Sequence, residues 1–220
     1  MKIFLDTVDT ESISDLCKTG IVDGITTNPL LLSKSERPSS ELLAEICGLV
    51  EGPVSVEVVS TSAESMVSEG LKLAQLAENV VVKLPMTFAG ICACKVLSGV
   101  HKIKVNVTLC FSVAQAILAA KAGAHFVSPF MGRIDDLGGS GASLIEDISC
   151  VYSQYGFSTQ ILAASVRSPM HVVEAAKVGA DVVTVPVAVF KQLFLHPLTD
   201  RGLEDFLKAW DSSGKSLLDS

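Results

Sequence analysis

"NVVVKLPMT", residues 79–87, combines the marks of a buried strand with a lysine in its middle. Val80, Val81 and Val82 form a β-branched run, which is typical of a parallel strand covered by helices on both faces. Lys83 follows directly, although an unpaired ammonium in an apolar interior is costly. The stretch therefore predicts a parallel sheet in which this lysine is either held in an ion pair or used in a reaction.

Eight short runs of this kind recur along the chain, separated by helix-like segments. The runs predict strands at residues 2–7, 24–28, 54–59, 80–85, 104–110, 125–130, 160–166 and 182–187. Apolar residues spaced three and four apart predict helices between them, for example over 39–50, 62–77, 111–123 and 168–180. Gly123 and Gly179 stand where helix C-caps are expected. Because strands alternate with helices, the predicted fold is α/β, a (β/α)₈ TIM barrel.

The residues after the eighth strand predict one further helix. We expect a single barrel domain over residues 1–220, with residues 199–220 as a C-terminal helical extension. Thr199 is the expected N-cap, and an apolar stripe that includes Trp210 follows it. The barrel does not need this helix, so the helix packs either on its own barrel or on a neighbouring subunit.

Composition and charge argue against several classes of protein. The net charge of −7 comes without a cluster of Lys and Arg, so nucleic acid and anionic membranes are not expected as partners. The apolar runs are far shorter than the roughly 20 residues of a membrane-spanning helix, and the N-terminus has too few apolar residues for a signal peptide. The six cysteines and four histidines lack metal-site spacing. We expect a cytoplasmic protein with free thiols and no metal.

Alternation along the strands places polar side chains inside the predicted barrel. In the strand at 80–85, Leu84 faces the helices while Lys83 faces inward, and the same alternation turns Leu109 outward in its strand. Further inward side chains reach the carboxyl ends of their strands: Asp6, Thr26, Asn28, Glu57, Asn106, Thr108, Ser128, Phe130 and Ser165, with Arg167 just beyond. Active sites of such barrels lie at this end, so the polar ring predicts a functional site.

Each of these features also has an ordinary structural interpretation. Lys83 pairs with Glu57 or Asp6 in an ion pair that fills the barrel, although buried pairs rarely add net stability. Arg133, taken alone, is an ordinary loop charge. The "GGSG" at residues 138–141 is better interpreted as a flexible loop than as a nucleotide-binding loop, because it does not join a strand directly to a helix.

A buried lysine beside carboxylates favours Schiff-base chemistry. A desolvated amine loses its proton more readily, attacks a carbonyl and forms an imine. The protonated imine draws electrons from the neighbouring carbon, so that a carbon–carbon bond one position further can break. Asp6 and Glu57 are candidates to take the hydroxyl proton. Arg133, Arg167 and Ser165 are candidates to hold a phosphate. The pattern predicts an aldolase for phosphorylated sugars that needs no metal or organic cofactor.

Eight segments together resemble the small bacterial transaldolases, over essentially the whole chain. They are "LDT", "GITTNPLLL", "VSVEVVS", "VVVKLPMT", "VNVTLCFS", "FVSPFMGRIDD", "LAASVRSPMHV" and "HPLTDRGLEDFLKAW". The resemblance implies transfer of a dihydroxyacetone unit from sedoheptulose 7-phosphate to glyceraldehyde 3-phosphate. Erythrose 4-phosphate and fructose 6-phosphate are the products, and the reaction belongs to the pentose phosphate pathway.

The resemblance also implies roles for individual residues. Lys83 would form the Schiff base, and Asp6 would be the general acid and base. Glu57 and Thr108 would position a water for proton transfers around the imine. The remaining candidates would bind substrate: Thr26, Asn28, Asn106, Ser128 and Phe130, with Arg133, Ser165 and Arg167 resembling a phosphate site. Relatives of this size are decamers of two pentameric rings, which implies a homo-oligomer whose C-terminal helix contacts a neighbour.

Three alternatives stay open. Fructose-6-phosphate aldolases, a sister group, release free dihydroxyacetone, but they typically carry glutamine and tyrosine where this chain has Glu57 and Phe130. Deoxyribose-phosphate aldolase is similar in its lysine chemistry, but it lacks the "TTNP" and "SPF.GR" segments. A catalytically disabled sugar-phosphate-binding protein would not need a buried amine. One departure from the transaldolase pattern is Ala89, where many relatives carry an acidic residue.

Overall fold

The computed structural model describes residues 1–218 and is a closed barrel of eight parallel strands in the order β1 to β8. The strands are β1 (Lys2–Asp6), β2 (Gly24–Thr26), β3 (Val54–Glu57), β4 (Val80–Pro85), β5 (Val105–Cys110), β6 (Phe126–Pro129), β7 (Gln160–Ala163) and β8 (Val182–Val185). Strand β8 pairs with β1 and closes the barrel. The predicted (β/α)₈ barrel is confirmed, and every predicted strand is present within three residues of its predicted ends.

Helices follow the strands and cover the outside of the barrel. They are α1 (Thr10–Cys17), α2 (Pro29–Leu32), α3 (Ser39–Leu49), α4 (Ala63–Leu73), α5 (Phe88–Gly99), α6 (Val113–Ala122), α7 (Met131–Asp136), α8 (Gly141–Tyr155), α9 (Pro169–Lys177), α10 (Val187–Gln192) and α11 (Pro197–Ser213). Gly123 ends α6 in the left-handed region, with φ of 87°, as predicted. The "GGSG" segment is only partly a loop, because Ser140 caps α8 and Gly141 is its first residue.

Two apolar layers hold the barrel together. The larger layer lies between strands and helices and includes Val82 and Leu84 of β4. The smaller layer fills the barrel interior, where the rings of Phe4 and Phe126 meet edge to face at 5.9 Å. Val81 belongs to this inner layer, so the predicted alternation along β4 is confirmed. The inward-facing polar residues at the carboxyl ends of the strands lie directly above this inner layer.

Leu109 departs from the predicted alternation. A register shift interrupts the pairing of β5 with β6 between Val107 and Cys110, and Leu109 has φ of 59°, in the left-handed region. This bulge turns Leu109 towards the cavity at the barrel mouth and buries Cys110 in the outer layer instead. The prediction that Leu109 faces outward is therefore wrong, because regular alternation does not survive a bulge.

Helix α11 stands apart from the barrel core. It begins at Pro197, and His196 is its N-cap, with Nδ1 accepting a hydrogen bond from the Leu198 amide at 3.2 Å. The predicted N-cap Thr199 is therefore wrong, because Pro197 already supplies a favoured first helical residue. No residue of α11 between Pro197 and Ser213 is buried, so the apolar stripe with Trp210 is not covered by its own barrel. The last two positions of the predicted extension lie outside the described residues.

Candidate active site

A cavity of about 390 Å³ opens at the carboxyl ends of the strands. Eleven of the twelve residues predicted for the site line it: Asp6, Thr26, Asn28, Glu57, Lys83, Thr108, Ser128, Phe130, Arg133, Ser165 and Arg167. The twelfth, Asn106, is fully buried beneath the cavity. The structure therefore brings the predicted polar ring together in one place, with Asn106 as a supporting residue below it.

The amine of Lys83 lies in the wall of this cavity and is held by two acceptors. Nζ donates a hydrogen bond to the carbonyl of Thr27 at 3.0 Å and lies 3.0 Å from Oε2 of Glu57. The two side chains are only 7% and 13% exposed. They are neighbours because β3 and β4 pair in a register that sets Glu57 opposite Lys83. The predicted ion pair thus exists, and it faces the cavity.

A second carboxylate, that of Asp6, lies on another part of the wall. Thr26 Oγ1 donates to Asp6 Oδ1 at 2.9 Å, and Oγ1 of Thr184 is 2.6 Å from Oγ1 of Thr26. Desolvation raises the pKa of the Asp6 carboxyl, although the charge of Lys83 and hydrogen bonds from Thr26 and Asn28 act in the opposite direction. A carboxylate of this kind accepts a proton more readily than an ordinary aspartate does.

Thr184 was missed by the sequence reasoning. It is buried, it lines the cavity and it supports Thr26. Because the Thr26 hydroxyl donates its one hydrogen to Asp6, the hydroxyl of Thr184 is the donor between the two threonines. The alternation that was applied to the other strands would have found Thr184, since Val182 faces inward two positions earlier in β8.

A layer of polar side chains from β3, β5 and β6 supports the cavity from below. The Ser128 hydroxyl donates to Oδ1 of Asn106 at 2.7 Å, and Nδ2 of Asn106 donates to Oγ of Ser55 at 3.2 Å. Asn106 therefore fixes Ser128, which does line the cavity. Thr108 Oγ1 is also buried in the wall, and it has no hydrogen-bond partner within residues 1–218. Its hydrogen-bonding capacity is therefore not used by any residue of that part of the chain.

The other part of the cavity carries two guanidinium groups. Arg133, on α7, lies over the ring of Phe130 with 5.0 Å between its Cζ and the ring centroid. Arg167, after β7, donates from Nη2 to Oδ2 of Asp136 at 2.9 Å. Both arginines are exposed, and both line the cavity together with Ser165. Cationic and hydrogen-bonding groups together at one place suit an anion such as phosphate.

Within residues 1–218, no three or more His, Cys, Asp or Glu side chains are grouped so that they could hold a metal ion. Over the same part of the chain, no helix has both the length and the apolar character needed to cross a membrane.

A lysine amine beside carboxylates at the C-terminal face of a (β/α)₈ barrel is the arrangement that an aldolase-type enzyme needs. Comparison with known proteins agrees with this class. The family model described as Transaldolase/Fructose-6-phosphate aldolase matches residues 3–217. The chain belongs to this family.

Similar proteins cover the chain from end to end. A "probable transaldolase" from Caulobacter vibrioides is 59% identical over 218 residues, which are 99% of this chain and 100% of that protein. A "probable transaldolase" from another Caulobacter species is 60% identical over the same shares. One from Rhodospirillum centenum is 54% identical over 220 residues, which are 100% of this chain and 95% of that protein.

Solved structures of similar shape include a mandelate oxidase mutant. Its TM-score is 0.58 at 14% sequence identity, over 84% of this chain and 64% of that one. A second mandelate oxidase structure has the same TM-score at 13% identity, over 84% of this chain and 65% of that one. The chain spans less than two thirds of either protein, and at this identity the likeness shows the barrel fold alone.

Proposed function

We propose that this protein is a transaldolase of the pentose phosphate pathway that works through a Schiff base on Lys83. It would move a dihydroxyacetone unit from sedoheptulose 7-phosphate to glyceraldehyde 3-phosphate, giving erythrose 4-phosphate and fructose 6-phosphate. The observation that carries the proposal is the place of the Lys83 amine, which is buried, faces the cavity and lies 3.0 Å from the Glu57 carboxylate. A barrel selected for stability alone would have apolar residues there.

The first step forms the imine. Lys83 Nζ passes a proton to Glu57 Oε2 and attacks the C2 carbonyl of the ketose. The resulting carbinolamine loses its oxygen as water when Glu57 returns the proton. Thr108 supports this step, because its buried Oγ1 lines the same cavity and is unpartnered within residues 1–218. Glu57 and Thr108 would hold the water between them.

The second step breaks the bond between C3 and C4. Asp6 takes the proton of the C4 hydroxyl, the bonding electrons move to the iminium nitrogen, and an aldehyde leaves. The enamine stays on Lys83 until a second aldehyde arrives, and Asp6 then returns the proton to the new hydroxyl. The raised pKa of the Asp6 carboxyl suits both directions of this transfer, because Asp6 must first accept the proton and then return it.

Phe130 favours transfer over release. Its ring lines the cavity beneath Arg133 and meets Phe111 at 5.7 Å between ring centroids. A phenylalanine has no hydroxyl with which to protonate the enamine, so the three-carbon intermediate would wait for an acceptor aldehyde. A tyrosine here would help release free dihydroxyacetone, which is the reaction of the sister aldolases.

A coupled assay tests the proposal. Purified protein is given fructose 6-phosphate with and without erythrose 4-phosphate, beside the Lys83→Met variant. We expect sedoheptulose 7-phosphate only when the acceptor is present and only with Lys83. Borohydride should trap fructose 6-phosphate on the wild-type chain and not on the variant. Accumulation of free dihydroxyacetone without acceptor would instead identify an aldolase, and absence of any covalent adduct would identify a binding protein.

We propose cytoplasmic location and self-association on separate grounds. All six cysteines lie within the described residues and are free thiols, which suits a reducing compartment.

Phe206 and Leu207 on α11 are 76% and 54% exposed, and an apolar stripe of this kind is usually covered. A second copy of this chain is the proposed cover, in a homo-oligomer that resembles the decamers of related proteins.

A further inference from the structure

The segment after β7 contains a histidine that no step of the proposed reaction uses. The backbone N–H of Arg167 donates to Nδ1 of His171 at 3.2 Å, and the other ring nitrogen, Nε2, lies 3.4 Å from Oδ2 of Asp135. The histidine side chain is 16% exposed and does not line the cavity. Because Nδ1 accepts a hydrogen bond, the neutral ring carries its hydrogen on Nε2, the nitrogen that faces Asp135.

Asp135 is itself held in place. Its Oδ1 accepts a hydrogen bond from the backbone N–H of Gly141 at 2.8 Å, at the start of α8. The next residue of α7, Asp136, accepts from the Arg167 guanidinium. Two consecutive carboxylates of α7 therefore hold Arg167. Asp135 contacts His171, which accepts a hydrogen bond from the Arg167 backbone, and Asp136 binds the Arg167 side chain.

Helix α7 packs closely against residues 165–171. A Cβ added to Gly132 would lie 2.0 Å from the carbonyl oxygen of Ser165 and 3.0 Å from Nε of Arg167. Ser165 itself has φ of 60°, in the left-handed region. Arg133 follows Gly132 directly, so the two arginines of the cavity are placed relative to each other by this contact between α7 and residues 165–171.

The two contacts that hold Arg167 are of different kinds. The Asp136 to Arg167 ion pair is exposed on both sides, at 59% and 55%, and exposed pairs of this kind contribute little. A substrate phosphate would compete with Asp136 for the guanidinium. The backbone anchor at His171 does not compete with phosphate and stays in place while the guanidinium changes partners.

We propose that His171 is a positioning residue for phosphate binding. With Asp135 it fixes the backbone at Arg167, and it thereby keeps the guanidinium within reach of the phosphate of the substrate. This inference rests on the proposed function for its substrate, a phosphorylated sugar. It concerns the affinity for the phosphate group and leaves the chemistry at Lys83 unaffected.

Two substitutions separate the contacts of the ring. His171→Leu removes both contacts, and His171→Asn keeps an acceptor for the Arg167 N–H. We expect His171→Leu to raise KM for fructose 6-phosphate about tenfold, the factor that the loss of one hydrogen bond predicts, with kcat within about twofold. His171→Asn should restore most of the affinity. His101→Leu, at an exposed histidine away from the cavity, is the control and should change neither constant.

Two further measurements separate failure of this proposal from failure of the proposed function. Calorimetric binding of inorganic phosphate needs no turnover, and His171→Leu should weaken it by the same factor. Borohydride trapping of dihydroxyacetone, which has no phosphate, should proceed at the wild-type rate in the variant. Equal phosphate affinity in His171→Leu and the wild type would overturn the positioning role, as would an equal loss of trapping with dihydroxyacetone. An inactive wild type that still shows the difference in phosphate affinity would overturn only the proposed reaction.

Discussion

The buried pair of Lys83 and Glu57 offers a direct test of whether the lysine serves stability or catalysis. Three variants are needed: Lys83→Met, Glu57→Gln, and the double substitution. Methionine and glutamine keep nearly the original side-chain volumes, so the cavity shape is preserved while the charges disappear. We expect the double variant to be about as stable as the wild type or more stable, and to have no transaldolase activity.

The magnitudes follow from the geometry of the pair. At 3.0 Å, attraction between unit charges amounts to roughly 5.5 kcal/mol at an effective dielectric constant of about 20. Desolvation of two ions costs several kcal/mol for each, so the net contribution of the pair is near zero. Glu57→Gln alone removes the negative charge and leaves the ammonium with neutral acceptors only, the Thr27 carbonyl and the glutamine Oε1, and should destabilise by about 3 kcal/mol. In a domain of this size that loss lowers Tm by roughly 6–12 °C.

Thermal unfolding of the four proteins at one concentration measures these effects, with turnover of fructose 6-phosphate measured in parallel. The exposed pair of Lys18 and Asp15, whose side chains are 73% and 75% exposed, is a matched control, and Lys18→Met with Asp15→Asn should leave Tm nearly unchanged. A double variant at the Lys83 pair that melts many degrees below the wild type would refute this reasoning. The pair would then be a structural element of the barrel.

Three other changes have expected outcomes. Asp6→Asn should raise Tm relative to the wild type more at pH 7 than at pH 4. A carboxyl whose pKa in the folded protein is raised above 3.8 loses its stabilising contribution as pH rises through that folded-state pKa, and asparagine does not titrate. A Tm difference that shrinks as pH rises would contradict this. Gly132→Ala should lower the free energy of unfolding by roughly 1–3 kcal/mol and raise KM for fructose 6-phosphate. Gly48→Ala, at an exposed glycine of α3 with open space around it, should do neither; equal melting of the two would refute the close contact. Deletion of residues 199–220 should reduce the assembly size on a sizing column, and an unchanged oligomer would exclude α11 as the contact.

The part of the site built on strands could be predicted from the sequence. In β3 and β4 the side chains alternate regularly, and the parallel register sets Glu57 beside Lys83. The period of two and the location of active sites at strand ends therefore sufficed to bring these residues together. Thr184 was missed only because the same rule was not applied to β8.

The rest depended on contacts that no local pattern contains. The bulge at Leu109 follows from the register shift between β5 and β6, and a run of alternating residues does not predict it. The N-cap of α11 depended on the choice between Thr199 and the residue before Pro197, and the proline decided it. Asp135 and His171 lie 36 positions apart, and only the docking of α7 on the segment after β7 brings them together.

This difference bears on how the site divides its work. The Lys83 end stands on strands whose positions are fixed by the closed barrel, and bond formation there needs precise geometry. The arginine end of the cavity, formed by Arg133 and Arg167, lies on a short helix and a loop. Contacts of Asp135, Asp136 and Gly132 hold it in place. Substitutions at the arginine end should therefore change which substrates bind while leaving the imine chemistry in place. Substitutions at the Lys83 end should abolish the chemistry with every substrate, including dihydroxyacetone, which has no phosphate.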